Sequence, residues 1–198
     1  MAQNKILILD FGGQYNQLIA SACSGMQCVF GKSAALRGTT LEDNQSLRSK
    51  GYYFYRRTTE RIRRRCTEHR CRRVRAGRSD YGESATGAQL MAYMLGGKID
   101  SAPTSEYGRA DVVIDDKDGI LKSADDVNVC WMSHTDYISR PPEGFVVTAH
   151  TDHCPVAGME DRKRGFYGVQ FHPEVNHTAH GAEFIRDFVL DVYKCDQD

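Results

Sequence analysis

The tightest constraint on the fold is one short stretch near the N-terminus. Lys5-Ile6-Leu7-Ile8-Leu9 is continuously apolar after its lysine and ends in Asp10 and a Gly12-Gly13 pair. A strand with one wet face alternates apolar and polar residues. A run without alternation belongs to a strand covered on both sides, as in a parallel sheet between helices. The glycines then suit a tight turn. From Tyr15 to Cys23, apolar residues at Leu18, Ile19 and Ala22 follow helical spacing. Strand, glycine turn and helix in this order predict an α/β protein.

The second half of the chain is equally orderly. Residues 89–95, Gln-Leu-Met-Ala-Tyr-Met-Leu, read as a buried helix stopped by Gly96-Gly97. Strands are expected at 110–114, 127–132, 144–149 and 165–171. Residues 183–193 carry apolar side chains at Phe184, Ile185, Phe188, Val189 and Val192, an amphipathic helix. There are no internal repeats, and 198 residues suit a single domain.

Between Cys28 and Gly82 this order fails. Eleven arginines fall in residues 56–78 against only Glu60 and Glu68, although the whole chain is formally neutral, so the remainder is distinctly acidic. Residues 61–75 show neither a period of two nor one of 3.6. A doubly wound sheet takes its central strands from mid-chain, so the segment conflicts locally with what both flanks imply. Seven cysteines at irregular spacing argue against a secreted disulfide framework. With no signal-peptide pattern and no apolar run of membrane length, a reduced cytoplasmic setting is expected.

Near the C-terminus, Gly168-Val169-Gln170-Phe171-His172-Pro173-Glu174 sets a histidine and a glutamate two residues apart at the end of an apolar run. That arrangement suits a general base and the carboxylate that orients it. Four other motifs keep it company: 8–19 (Ile-Leu-Asp-Phe-Gly-Gly-Gln-Tyr-Asn-Gln-Leu-Ile), Gly87-Ala88-Gln89-Leu90, Ser105-Glu106-Tyr107-Gly108 and Trp131-Met132-Ser133-His134-Thr135-Asp136. In order and spacing, over residues 1–27 and 87–198, the set resembles the class I glutamine amidotransferase domain of GMP synthases.

The resemblance implies a Rossmann-like (flavodoxin-like) α/β fold with a central, mostly parallel sheet flanked by helices. It implies one amidotransferase domain over 1–198, with 28–86 anomalous and unassigned. It also implies a Cys-His-Glu triad that hydrolyses glutamine and passes ammonia to an ATP-dependent synthetase unit, which aminates XMP. Carried over by position, His172 is the base and Glu174 holds its ring. Gln89 and the Ser133-His134 backbone hold the amino-acid end of glutamine, and Asp136 and Tyr137 sit towards the synthetase. No cofactor is expected in this domain; ATP and Mg²⁺ belong to the synthetase, which would be a separate subunit or a lost continuation.

Two parts depart from the family pattern. The nucleophile of the Gly-x-Cys-x-Gly elbow falls on Ala85, followed by Thr86, and the Gly-Gly-Pro oxyanion loop falls on Arg56-Arg57-Thr58. As written, the chain is therefore expected to lack glutaminase activity. Cys66, Cys71 and Cys130 could replace the nucleophile only if the fold carried them there. A codon-shifted reading accounts for both departures. If each codon here takes its first base from the end of one true codon and its other two from the next, residues 52–58 conceal Ile-Ile-Phe-Thr-Gly-Gly-Pro, and 75–82 conceal Glu-Leu-Gly-Val-Pro-Ile-Met-Gly. One further inserted base turns 83–86 into Gly-Ile-Cys-Tyr. Single-base insertions in the gene or its sequencing would then explain the arginines.

Other readings carry less. A pseudoenzyme that docks on a synthetase and regulates it is the main alternative. The arginine block could meet nucleic-acid phosphates, but its aromatics at 52–55 do not interleave it, and a solvated segment is the simpler reading. Cys66-x-x-His69-x-Cys71 lacks a matching second half, so no metal site is expected. His150, His153, His177 and His180 read as surface or satisfied polar positions.

Overall fold

The computed structural model describes residues 86–192 continuously, together with Leu18 and the backbone of four segments before them. Those segments are strands β1 (Ile6–Phe11), β2 (Val29–Gly31), β3 (Gly51–Arg56) and β4 (Tyr81–Ser84). Helix α1 (Thr86–Met94) follows, then β5 (Lys98–Ile114), β6 (Val127–Arg140), β7 (Val146–His150), β8 (Gly158–Asp161) and β9 (Phe166–Val169). Helix α2 (Gly181–Asp187) continues into a wider π turn, Phe188–Val192. No helix among the described residues is long and apolar enough to cross a membrane.

The described strands form one sheet in the order β2-β1-β3-β4-β9-β8-β7-β5-β6. From β2 to β9 every pairing is parallel. From β9 to β6 every pairing is antiparallel. The parallel part is the α/β core that the unalternating N-terminal run implies. The antiparallel part extends it, and its long β5–β6 hairpin is richer in polar residues because much of it is only half-buried.

Strand β9 lies in the middle and is buried throughout. Phe166 packs with Ala88, Met91 and Ala92 of α1, whereas Tyr167 and Val169 pack with Phe184, Ile185, Phe188 and Val189 beyond it. Gly168 faces α1, where a Cβ would lie 3.0 Å from Met91 Cε and 3.1 Å from Ala88 Cβ. A glycine is what lets the helix approach the strand this closely. Helix α1 ends as its glycines require. Gly96, at φ +93°, donates to Tyr93 O, and Gly97 donates to Ala92 O at 2.8 Å, the paired bonds of a Schellman stop.

The exit from β9 is braced by one threonine. Thr178 Oγ1 accepts the Trp131 N–H at 3.0 Å and donates to the His172 carbonyl at 2.6 Å, while the His172 N–H donates to Trp131 O at 2.9 Å. Gly181 then opens α2 against Pro173, whose carbonyl oxygen would lie 2.0 Å from any Cβ there.

The helix expected at 89–95 starts three residues earlier and ends at Met94, and the strands expected at 144–149 and 165–171 appear as β7 and β9. Those expected at 110–114 and 127–132 are the facing ends of much longer strands, and β8 has no counterpart among the expectations. Its Gly-Met-Glu-Asp sequence hides it, because Glu160 is buried but satisfied: it accepts from the Ile120 N–H and from Arg162 Nε. The C-terminal helix begins at Gly181 rather than 183. Of the expected 15–23 helix only Leu18 is described, helical and exposed. The Gly12-Gly13 turn, residues 57–80 with most of the arginine block, and Tyr193 lie outside the described residues.

Two substitutions test this packing. Gly168→Val is expected to lower stability by about 1–3 kcal/mol through overpacking against α1, read as a lower urea midpoint with unchanged slope. Thr178→Val, nearly isosteric, strands one donor and one acceptor and is expected to cost about 1–3 kcal/mol in the same measurement.

Candidate active site

In the parallel half, β1 has β2 on one side and β3 on the other, so the chain reverses its winding between β1 and β3. Ligand crevices of open α/β sheets form outside the carboxyl ends of strands at such a point. The strands bordering that edge end at Phe11, Arg56, Ser84 and Val169.

At the end of β9, His172 Nδ1 lies 2.8 Å from Glu174 Oε1. The pair is dry: the two side chains are 8% and 0% exposed. Against an ionised carboxylate, which can only accept, Nδ1 carries the proton and Nε2 is the basic nitrogen. The peptide group of His172 is fixed by Trp131 and Thr178, so the ring is held from both backbone and side chain. This is the geometry of an oriented general base.

The neighbouring strand leads to the expected nucleophile position. Strand β4 runs parallel to β9 in the register Tyr81↔Phe166 to Ser84↔Val169, and α1 begins at Thr86. Strand end, one residue and helix start is the layout of a strand-to-helix elbow. Position 85 itself, where Ala85 stands, lies outside the described residues, as does Arg57. Arg56 ends β3 and Thr86 opens α1, but only their backbones are described. Among the described residues the cysteines are Cys130 and Cys154, both fully buried. Burial pushes each thiol up to about 12, with the Glu106 charge adding at Cys154 and a hydrogen bond from Asn128 partly opposing it at Cys130. Neither is a serviceable nucleophile.

Gln89 projects from the second turn of α1, 1% exposed, and its side-chain amide donates to the Asp136 carbonyl. Gln170, which follows β9, reaches the same carbonyl oxygen at 3.4 Å. Both glutamines keep a buried side-chain oxygen without a hydrogen-bond partner. Asp136 is tied down by its own carboxylate, which accepts from Ser101 at 2.8 Å, and Tyr137 packs against the main core.

Along β6 the burial alternates, so Ser133 is exposed and His134 is buried. Burial lowers the His134 pKa to about 4, the nearby His172 adds to this, and Asp136 opposes it. Glu106 Oε2 is only 3.2 Å from His134 Nε2, yet the contact lacks hydrogen-bond geometry. We take the burial effect as the larger one, and His134 as neutral.

The structure thus unites His172 with Glu174 and draws Gln89 to the Asp136 end of β6. It also adds residues that sequence reasoning missed. Gln170 had a signal, a lone polar residue within a run otherwise buried. Thr178 had none, because its role depends on where a loop crosses β6.

The class-I glutamine amidotransferase family profile matches residues 85–192, more than half of the chain. A GMP synthase [glutamine-hydrolyzing] of Clostridium perfringens is 39% identical over 205 residues, covering 94% of this chain and 36% of its own length. One from Clostridium botulinum is 36% identical over 216 residues, covering 100% of this chain and 38% of its own. The chain thus spans little more than a third of these curated relatives. Among solved structures, a glutamine amidotransferase from Thermotoga maritima superposes with a TM-score of 0.70 at 14% identity, covering 98% of this chain and 84% of its own. That likeness speaks to the fold, a Rossmann-like open α/β sheet. By sequence match and architecture together, the chain belongs to the class-I glutamine amidotransferase family.

Proposed function

We propose that this chain is the glutamine-binding unit of a GMP synthase and that, as written, it holds glutamine without hydrolysing it. The observation that carries the reading is the dry His172–Glu174 pair at the carboxyl end of β9, beside the end of β4 and the start of α1. The side-chain oxygens of Gln89 and Gln170 would accept from the amino-acid end of glutamine, next to the Ser133-His134 backbone. A family member with cysteine at position 85 would use His172 to draw the thiol proton. Its thiolate would attack the amide carbon, and His172 would return the proton to the leaving ammonia. Water activated by the same base would then cleave the thioester. Alanine at 85 removes the attacking atom and leaves the relay idle. The ammonia acceptor, XMP on an ATP-dependent synthetase, belongs to the partner unit.

The shifted codon reading is part of this proposal. Strand β3 falls at Gly51–Arg56, over the segment that conceals Ile-Ile-Phe-Thr, and β4 at Tyr81–Ser84 overlaps the end of the second concealed segment. Both placements support the reading. The nucleotide sequence across codons 28–87 tests it; an uninterrupted frame encoding this protein would sink it.

For the chain as given, glutamate release from glutamine is expected to stay at the buffer control in a coupled dehydrogenase assay. With 52–58 and 75–86 restored to the shifted reading, release is expected to appear. In that background His172→Ala is expected to lower kcat by about 10³-fold or more, and Glu174→Gln by about 10²–10⁴-fold. Measurable hydrolysis by the unaltered chain would contradict the proposal.

A further inference from the structure

Glu106 of β5, His134 of β6 and Cys154 after β7 come from three separate segments and meet within the antiparallel half of the sheet. One ligand atom from each lies within 4.8 Å of the other two. The His134 side chain is 4% exposed, that of Glu106 10%, and Cys154 is fully buried. Both ring nitrogens of His134 and Glu106 Oε2 lack a hydrogen-bond partner. An unsatisfied buried polar atom is costly, and Glu106 Oε2 with one His134 ring nitrogen beside a buried thiol call for something that binds them.

We propose that Glu106, His134 and Cys154 form a binding site for a divalent transition ion of the zinc class. Thiolate, imidazole and carboxylate are the donor set that borderline-soft ions take, and three protein ligands leave a fourth position for water. On binding, the Cys154 S–H bond breaks and its proton passes to solvent, while the thiolate donates its electron pair to the metal; no oxidation state changes. Thiolate and carboxylate together match the ion's two charges, so the loaded site is neutral, as burial favours.

The surrounding contacts fit ligands held in place. Thr151 Oγ1 donates to Glu106 Oε1 at 2.9 Å and accepts from the Cys154 N–H at 2.9 Å, and the Thr151 N–H donates to Cys154 O. One threonine thus positions two of the three ligands, as outer-shell partners do. A cleft of ≈ 330 Å³, with Glu106, Thr151 and Met132 in its wall, opens beside the cluster. The site uses the His134 side chain, whereas the proposed glutamine site uses only its backbone, so metal binding can fail or succeed independently of glutamine binding.

Cobalt(II) added to the chelator-stripped full chain is the probe. The expected result is one bound equivalent with a thiolate-to-cobalt charge-transfer band, displaced by zinc. The band should vanish in Cys154→Ser and persist in Cys130→Ser, an equally buried control. Glu106→Gln and His134→Gln should weaken binding by about 10–100-fold. X-ray absorption on the zinc-loaded unaltered chain needs no variant, and is expected to show one sulfur with nitrogen and oxygen neighbours. No charge-transfer band, a band that depends on Cys66 and Cys71 instead, or a shell without sulfur would each overturn the site.

Discussion

Both the fold and the site depend on β9. It is the one described strand with a parallel neighbour on one side and an antiparallel neighbour on the other, so it joins the two halves of the sheet. Both of its faces are covered, one by α1 and the other by α2 and the π turn that follows it. A strand so enclosed has little freedom to shift. Slipping it by one residue would drive Tyr167 into the space that Gly168 leaves for α1. His172 therefore follows, three residues on, a strand enclosed on both faces, and Thr178 locks the step from strand to turn.

Much of this is legible in the sequence because burial leaves a pattern. The run at 165–171 reads as a strand because it is apolar on both faces. The His172-Pro173-Glu174 spacing reads as a relay because a turn after such a strand brings the two side chains together. Helix α1 shows its stop in Gly96-Gly97. Elements held by pairing rather than by burial are harder to see. The described side chains in the first half of β5 are exposed or half-buried, and β8 carries a buried Glu160 held by Arg162, two residues on, and by the distant Ile120 N–H. The Glu106–His134–Cys154 cluster is illegible for the same reason. Its members are 28 and 20 residues apart, and only sheet register brings them together.

The site divides cleanly into parts with different standing. His172 pairs with Glu174, Gln89 and Gln170 both reach the Asp136 carbonyl, and all four side chains are buried. In the proposed reading the attacking atom is missing at Ala85, and both described cysteines are too deeply buried to supply it. Catalytic competence and architecture are separable here, because the strands and helix that build the elbow do not require the cysteine.

Covalent trapping by a glutamine-analogue chloroketone tests the central claim most directly, that a working relay faces an empty nucleophile position. No label is expected on the unaltered chain. One label is expected at position 85 in Ala85→Cys carrying the restored 52–58 and 75–86 segments, prevented by excess glutamine and slowed by His172→Ala. Labelling of the unaltered chain at any cysteine with protection by glutamine would contradict that claim.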